Sequence, residues 1–405
     1  MTDRYIYAIA TMDTKGAEIC FIADQLQRAG PMVKTVDVGT ATDAQKKPDV
    51  SREIIAAHHA KGSAYVLSQK DRGLAVDAMG EALRSFLLQE NAEERLAGVI
   101  GVGGSGGTSL ISKAMRALPI GLPKMLVSTV ASGNTQPYID CSDITMMYSV
   151  VDVAGLNDVS KVILGNAAHA IRGMAQNYSA PEDGGQAIGL TMFGVTTSCV
   201  DTVRKELESA GNDCLVFHAT GTGGRAMESL VNSGYINRVL DITTTEVADE
   251  VVGGVFPCGE HRFDSIISRQ VPCVMSLGAL DMVNFGSKES VPAKFQDRNL
   301  YVHNPEVTLM RTNIEENINI AEWMAKKINQ TNAPFSLVIP EGGVSIIDAP
   351  GQVFHDPEAD DALFKTLEDL IEQKENRKII RSPHNINAPE FASLLLTELN
   401  NVTGH

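Results

Sequence analysis

The stretch that most constrains the fold is the glycine-rich segment 101–109, Gly-Val-Gly-Gly-Ser-Gly-Gly-Thr-Ser. It follows an apolar run at 96–100 that is typical of a buried strand, and it precedes a run at 110–117 that is typical of a helix. The glycines let the backbone turn tightly and approach a ligand closely. The N–H groups at the start of that helix point back at the loop, where they suit an anion. We therefore predict that the loop binds a phosphate group.

Length, charge and cysteine usage limit the class of protein. A chain of 405 residues predicts two or three domains, and a formal charge of −16 repels nucleic-acid backbones and anionic membranes. The sequence shows no signal peptide, and no apolar run approaches the roughly 20 residues that span a bilayer. The six dispersed cysteines form no C-x-x-C pair, which predicts free thiols in a reducing compartment. We expect a cytoplasmic protein that binds neither nucleic acid nor membrane.

Alternating strand and helix patterns run along the whole chain. They predict an α/β fold with two Rossmann-like, doubly wound parallel sheets. A linker rich in small and polar residues at 179–186 separates a domain at 1–182, with the loop 101–108, from a domain at 187–405, with a second loop at 221–225. Residues 8–39 and 189–220 align without a gap, which suggests a repeated architecture.

The second glycine-rich turn, His218-Ala-Thr-Gly-Thr-Gly-Gly-Arg225, also lies between a predicted strand and a predicted helix. We expect it at the equivalent strand end of the second half. Its backbone would approach a ligand at Gly221, Gly223 and Gly224, and the Arg225 guanidinium could bond two phosphate oxygens. An alternative for both loops is that the glycines only let a helix and a strand pack closely, and for Arg225 that it forms a surface salt bridge.

Three known motifs overlap on the first loop, and each lacks one decisive feature. Residues 101–106 match G-x-G-x-x-G, but Ser128 and Thr129 stand where a dinucleotide site has its ribose-binding acid. A Walker A alignment puts Gly107 in the lysine position. Gly103-x-Ser105-x-Gly107 matches a nucleophile elbow, with Asp241, Asp348, His303 and His355 as downstream candidates for a triad. A phosphate-binding loop is favoured, with a serine hydrolase or other small-molecule enzyme as the alternative. The predicted phosphate contacts are Gly103, Gly104, Ser105, Gly106, Gly107 and Thr108.

Further polar residues follow other predicted strands. Asp13 and Lys15 lie after the first strand, where ligands collect in doubly wound sheets; Asp13 could hold Mg²⁺ and Lys15 could face a phosphate. The turn at Ser132 and Gly133 would lie beside the loop if the two strands are adjacent. Glu341 and Asp348 follow a later strand and are candidate catalytic acids. The alternative for Asp13 and Lys15 is a solvated turn with a helix cap, and for Glu341 and Asp348 a glycine turn before a short strand.

Several longer motifs carry a resemblance to a known family, and they span nearly the whole chain. They are Thr11-Met-Asp-Thr-Lys-Gly16, Asp71-Arg-Gly73, the run 101–113, Leu118 to Lys124, Ser128 to Gly133, His218-Ala-Thr-Gly221, Gly223 to Met227, His303-Asn-Pro305 and Gly342 to Ser345. The chain resembles bacterial members of the family that contains the N-terminal ATP-binding domain of the tomato mosaic virus resistance protein. The resemblance implies two Rossmann-like domains, ATP binding with Mg²⁺ and a homodimer.

The resemblance and the motifs leave two classes of function open. An enzyme would use ATP and Mg²⁺, or hydrolyse a small substrate, with Asp13, Glu341 or Asp348 as candidate acids. A binding or regulatory protein would use ATP to fix its domain arrangement without turnover, and would contact a protein partner. The sequence shows no unmistakable catalytic constellation, which favours the second class.

Overall fold

The computed structural model describes residues 4–28, 30, 32–44, 46–179 and 186–404. The chain divides into two units, Met1–Ala180 and Pro181–His405. Each unit is built on a parallel sheet flanked by helices, which confirms the predicted α/β fold. Most of the linker predicted at 179–186 lies outside the described residues.

Unit 1 alternates strands and helices. Its strands are β1 (Tyr5–Ala10), β2 (Val33–Asp37), β3 (Leu96–Gly103), β4 (Lys124–Ser128) and β5 (Thr145–Tyr148). Its helices are α1 (Met12–Arg28), α2 (Arg52–Ala56), α3 (Gly62–Leu67), α4 (Arg72–Ala92), α5 (Ser105–Arg116), α6 (Gln136–Ile139) and α7 (Asp158–Asn177).

The sheet of unit 1 has the parallel order β2-β1-β3-β4-β5. Successive residues of its central strands are buried on opposite faces, so that Ala8 packs with α1 and α7 and Ile9 packs with α4 and α5. The chain leaves β1 toward one face and β3 toward the other, although the two strands are neighbours. This is the topological switch point, where doubly wound proteins bind ligands. The strand order thus brings the turn after Ala10 and the turn after Gly103 to one crevice.

Unit 2 is larger and contains two sheets. Its strands are β6 (Ala187–Met192), β7 (Cys214–His218), β8 (Ile236–Thr243), β9 (Cys273–Gly278), β10 (Met282–Phe285), β11 (Leu300–Asn304), β12 (Val307–Arg311), β13 (Phe335–Pro340) and β14 (Arg377–Ser382). Its helices are α8 (Thr197–Ser209), α9 (Thr222–Asn232), α10 (Thr245–Val252), α11 (Asp264–Ser268), α12 (Ile314–Ile328), α13 (Pro357–Leu370) and α14 (Pro389–Thr403), with 3-10 turns at Lys288–Ser290 and Ala293–Phe295.

The main sheet of unit 2 repeats the topology of unit 1. It has the parallel order β14-β13-β9-β8-β6-β7, and strands β10, β12 and β11 form a separate antiparallel sheet. The arrangement β7-β6-β8 corresponds to β2-β1-β3, as the predicted repeat requires. Gly30 and Gly211, which the repeat aligns, both have positive φ (105° and 85°) at the end of the first helix of their unit.

The predicted equivalence of the two glycine-rich loops is wrong. The first loop follows β3, the third strand of its unit, whereas the second follows β7, the second strand of its unit. The counterpart of the first loop is therefore the turn between β8 and α10, which begins at Thr244. Sequence similarity between glycine-rich turns did not reveal this, because both turns connect a parallel strand to a helix.

Candidate functional site

Two glycines of the first loop are required for packing. A Cβ atom on Gly101 would lie 2.8 Å from carbon atoms of both Ile111 and Leu126. A Cβ atom on Gly103 would lie 2.6 Å from the backbone nitrogen of Thr108. The close contact of β3 with α5 excludes a side chain at either position, so the packing alternative explains these two glycines.

The other three glycines of the loop are not explained by packing. Cβ atoms on Gly104, Gly106 and Gly107 would have their nearest neighbours at 3.9, 3.7 and 3.8 Å, which is ordinary van der Waals contact. Alanine would therefore fit at all three positions. The missing side chains leave the backbone of this turn accessible, which suits close approach of a ligand.

The amino end of α5 lacks a capping side chain among the described residues. Its N-cap residue is Gly104, and no side chain in the described ranges accepts a hydrogen bond from its first turn. The neighbouring helix α4 differs, because the Asp71 carboxylate accepts the N–H of Leu74 at 2.9 Å. The first N–H groups of a helix have no partner within the helix, so those of α5 are available to an anion.

Thr108 holds the loop in place and does not face a ligand. It is fully buried, and its hydroxyl lies 2.6 Å from that of Ser128 and 3.3 Å from the carbonyl of Gly103. Gly103 pairs with Ser128, which shows that β3 and β4 are adjacent. The exposed residues Ser132 and Gly133 follow β4 and therefore lie at the same edge of the sheet as the loop.

A cleft of about 550 Å³ begins at the loop and continues between α4 and α5. It is lined by Arg72, Gly73, Val76, Asp77, Ser105, Gly106, Ser109, Leu110 and Lys113. Lys113 is bound by Asp77 at 2.6 Å and by Glu81 at 2.7 Å. The Arg72 guanidinium lies 3.7 Å from the Cβ position of Gly106 and has no hydrogen-bond or ion-pair partner in the described part of the chain.

Arg72 was not among the predicted site residues. Arg72 is far from the loop in the sequence. Only the packing of α4 against α5 brings the two together. One signal was available, because Asp71-Arg-Gly73 is among the motifs that carry the family resemblance. The structure explains each member of that motif: Asp71 caps α4, Arg72 reaches the loop, and Gly73 lines the cleft.

Asp13 lies beside a second carboxylate, that of Asp37. A Cβ atom on Gly39 would be 3.1 Å from Oδ1 of Asp37 and 3.2 Å from Cγ of Asp13, so both groups line one small space. Asp37 accepts the N–H groups of Met12 at 2.9 Å and of Gly39 at 2.8 Å. Burial raises the pKa of Asp37; the two N–H groups oppose this, and the charge of Asp13 adds to it.

The paired carboxylates fit a Mg²⁺ ion that also binds phosphate oxygens. Magnesium in nucleotide sites usually takes one or two carboxylates and completes its shell with phosphates and waters. The described residues contain no group of three or more histidine, cysteine, aspartate or glutamate side chains that could hold a metal by themselves. Sequence reasoning identified Asp13 but missed Asp37, which ends the neighbouring strand β2.

Lys15 does not point at open space in this structure. Its ammonium donates a hydrogen bond to the carbonyl of Val153, and its backbone departs from helical geometry within α1 (φ −121°, ψ 19°). The phosphate contact predicted for Lys15 would require this side chain to change partner.

The second glycine-rich loop binds a carboxylate of its own unit. Oε1 of the buried Glu246 accepts the N–H groups of Gly221 at 2.6 Å and Gly224 at 3.0 Å. A Cβ atom on Gly224 would collide with this carboxylate, and one on Gly223 would collide with the carbonyl of His218. These glycines are thus required for packing, and Glu246 lies where the sequence predicted a phosphate. Arg225 lies half-buried in the first turn of α9.

Glu246 is held by a buried arginine. Arg262 bonds Glu246 at 3.2 Å, Glu228 at 3.1 Å and Asp241 at 2.7 Å, and all four side chains are buried. Removing one partner of such a network leaves an uncompensated buried charge, which is strongly destabilising. We assign the second loop a structural role on this geometry.

Glu341 and Asp348, the other candidate acids, lie in unit 2. Glu341 is exposed and forms an ion pair with Arg381 at 2.9 Å. Asp348 is fully buried with Asp281 and Asp360 around Arg311. Burial, together with the charges of Asp281 and Asp360, raises the pKa of Asp348 to about 9, and burial raises that of Asp281 to about 7. Asp348 therefore belongs to a buried structural cluster.

Ser105 is exposed in the first turn of α5. In the described part of the chain, no histidine or acidic side chain forms a hydrogen bond with it. The sequence-predicted partners Asp241, Asp348, His303 and His355 all belong to unit 2, and two of them take part in the buried clusters around Arg262 and Arg311. The local geometry of Ser105 thus lacks the base that activates a nucleophilic serine.

The fold and the first loop define a class of protein: two doubly wound α/β units, of which the first has an open helix amino end at its switch point. The models of the N-terminal and C-terminal domains of the uncharacterised protein family UPF0261 match residues 4–180 and 185–403. The chain belongs to this family, which confirms the resemblance seen in the sequence. None of the helices in the described ranges is long and apolar enough to cross a bilayer.

Relatives of the chain occur in bacteria and in a plant. A UPF0261 protein of Mesorhizobium japonicum is 51% identical over 96% of this chain and 97% of its own length. A UPF0261 protein of Clostridium tetani is 46% identical over 99% of both chains. The ToMV resistance protein Tm-1 of Solanum lycopersicum is 45% identical over 96% of this chain, which spans 55% of the tomato protein.

The packing of Gly103 generates a first prediction. We expect Gly103→Ala to lower the free energy of unfolding by about 2 kcal/mol, because the new methyl group must displace the α5 backbone. Gly104→Ala is the matched control and should change it by less than about 0.5 kcal/mol, because the space is open. Chemical denaturation followed by circular dichroism measures both. Equal destabilisation by the two substitutions would contradict this division of the glycines.

The buried aspartates generate a prediction about pH. Because the folded pKa of Asp348 lies above its unfolded value of about 3.9, its stabilising contribution is complete below that value and is lost as pH rises toward about 9. The free energy of unfolding should therefore fall less steeply between pH 5 and 9 in Asp348→Asn than in the wild type, with a difference on the order of 1 kcal/mol per pH unit.

The control for this experiment is Asp369→Asn, which changes an exposed aspartate of α13. It should keep the wild-type slope. Parallel stability curves for the wild type and Asp348→Asn would show that the cluster does not hold an extra proton in the folded state.

Proposed function

We propose that the protein binds ATP in unit 1, with phosphate oxygens on the backbone N–H groups of residues 105–107. The observation that carries the proposal is the combination at this turn of an uncapped helix and three glycines that packing does not require. Arg72 adds a guanidinium beside the turn, and this group can bond two oxygens of one phosphate. Backbone dipoles bind phosphate without net positive charge, so a chain charge of −16 is no obstacle.

The comparison of the two loops favours unit 1 over unit 2 as the nucleotide site. Both loops present N–H groups at a helix amino end, but the Glu246 carboxylate already accepts those of the second loop. A phosphate there would have to displace a buried carboxylate that Arg262 also binds. Within the described part of the chain, no carboxylate accepts the N–H groups of the first loop.

The dimensions and chemistry of the cleft suit a nucleotide. A volume of about 550 Å³ lies within the usual range of small-molecule sites, roughly 300–1,000 Å³. The half-buried Val76 provides apolar surface, and the exposed Ser109 provides a hydroxyl. ATP rather than another phosphate ester is suggested by the family resemblance.

Asp13 and Asp37 are the residues that would hold Mg²⁺. Asp13 follows β1, which neighbours β3, whereas Asp37 ends β2, two strand spacings or about 10 Å from β3. An extended triphosphate could bridge that distance. The ion would neutralise charge on the phosphates, and the two carboxylates would orient it.

Arg72→Ala tests the phosphate site directly. Loss of hydrogen bonds to a charged group costs about 1.5–3 kcal/mol, so we expect ATP affinity to fall roughly 10-fold to 100-fold. Arg84→Ala removes an exposed arginine from the same helix and should leave the affinity unchanged. Isothermal titration calorimetry with ATP, ADP and NAD⁺ measures this.

Failure of the wild type to bind any of these nucleotides at millimolar concentration would contradict the proposed function. Binding that is insensitive to Arg72→Ala would place the nucleotide elsewhere on the protein.

Asp13→Asn tests the magnesium site. In the wild type, ATP affinity should be higher with Mg²⁺ than with EDTA, and Asp13→Asn should largely abolish that difference. Asp24→Asn, an exposed position of α1, should retain it. A magnesium effect of the same size in all three proteins would exclude Asp13 as a ligand.

The proposal concerns binding, and ATP turnover in the same samples would separate an enzyme from a regulator. Turnover that is lost in Asp13→Asn while ATP binding is retained would identify an enzyme. The homodimer and the cytoplasmic location expected from the sequence are also proposals. Light scattering with and without ATP tests the first, and fractionation of cells tests the second.

A further inference from the structure

Residues 149–155, which we call the strap, follow β5 and lead to the segment before α7. The first residue of the strap is bound to the end of β4, because the N–H of Ser149 donates a hydrogen bond to the carbonyl of Ser128 at 3.2 Å. It is then bound by two residues of α1. The Lys15 ammonium donates to the carbonyl of Val153, and the buried Glu18 carboxylate accepts the N–H of Gly155 at 2.6 Å.

The strap and the Lys15 side chain together bridge the carboxyl end of β3. This follows from the sheet order, because β3 lies between β4, which binds the start of the strap, and β1, which leads into Lys15. The bridge lies on the face covered by α1 and α7, where Val153 packs with Met12 and Leu164. The end of β3 is Gly103, so the bridge crosses the edge of the sheet at which the proposed phosphate loop begins.

The backbone at both ends of this bridge is unusual. Val150 has a positive φ of 63°, a conformation that a β-branched residue adopts only when the surrounding structure imposes it. Lys15 interrupts the helical geometry of α1. The strained backbone at Val150 indicates that the strap is held in this position by its tethers.

We propose that Lys15 is a two-position switch, which holds the strap when the site is empty and releases it when the phosphates of ATP bind. The inference rests on the proposed function of the loop. A phosphate oxygen is a stronger partner for an ammonium than a neutral carbonyl, because both members of the pair are charged. When the Lys15 ammonium moves to the phosphates, it leaves the carbonyl of Val153. The strap then loses one of its two tethers to α1.

Release of the strap changes the surface around it. Apolar side chains at both of its ends are already exposed, at Tyr148, Val150, Leu156, Val159 and Val162. Movement of residues 150–154 would enlarge this apolar surface. The switch thereby converts occupation of the nucleotide site into a change at a distinct surface of unit 1.

Hydrogen–deuterium exchange of the full-length protein, with and without ATP and Mg²⁺, tests the switch. In the wild type, amides 150–155 should exchange on the order of tenfold faster when ATP is bound, because a hydrogen bond to a charged group is lost. In Lys15→Met they should exchange fast without ATP and show no further increase.

Glu18→Gln is the matched variant. It weakens the other tether and should raise exchange without ATP, but its strap should still respond to ATP because Lys15 is intact. Asp24→Asn, an exposed position of α1, should behave as the wild type. The Glu18 variant guards against general loosening of α1 as the cause of any effect in Lys15→Met.

Calorimetry on the same samples separates the two proposals. If ATP binds and exchange of residues 150–155 is unchanged or slower, the switch is wrong and the proposed function stands. If Lys15→Met retains slow exchange without ATP, Lys15 does not hold the strap and the switch is again wrong. If the wild type binds no ATP, the proposed function fails and the switch fails with it.

Discussion

The candidate site depends on the close contact between the end of β3 and the first turn of α5. Gly103 permits that contact, because no side chain fits against the nitrogen of Thr108. The Thr108 and Ser128 hydroxyls then fix the loop to the next strand. With its buried side fixed in this way, the turn presents the N–H groups of residues 105–107 on its open side. The proposed phosphate site is thus the uncapped end of a helix whose base is rigidly packed.

The two units show that a glycine-rich turn before a helix can be an open site or a closed one. Both units share a strand order and contain such a turn, although the two turns follow different strands. In unit 2, Glu246 and Arg262 fill the space at that turn with a buried ion pair. In unit 1 the N–H groups of the first loop face a cleft, and Arg72 lies beside them. The occupant of the helix end, rather than the number of glycines, distinguishes the two loops.

Sequence patterns predicted the fold class and the first loop, because strand and helix periods and glycine spacing are local properties. They did not predict Arg72 or Asp37, whose positions depend on how helices and strands pack. They also suggested a phosphate site at residues 221–225, because no local sequence pattern shows that the Glu246 carboxylate binds that turn. Lys15 was placed at the correct edge of the sheet, but its contact with Val153 joins residues far apart in the chain.

The most direct test of the central claim is an ATP titration of the protein labelled with ¹⁵N at glycine, followed by TROSY NMR. The account predicts that the largest amide shifts occur at Gly106 and Gly107, with little change at Gly221, Gly223 and Gly224. Shifts concentrated in the second loop, or spread equally over both, would contradict it.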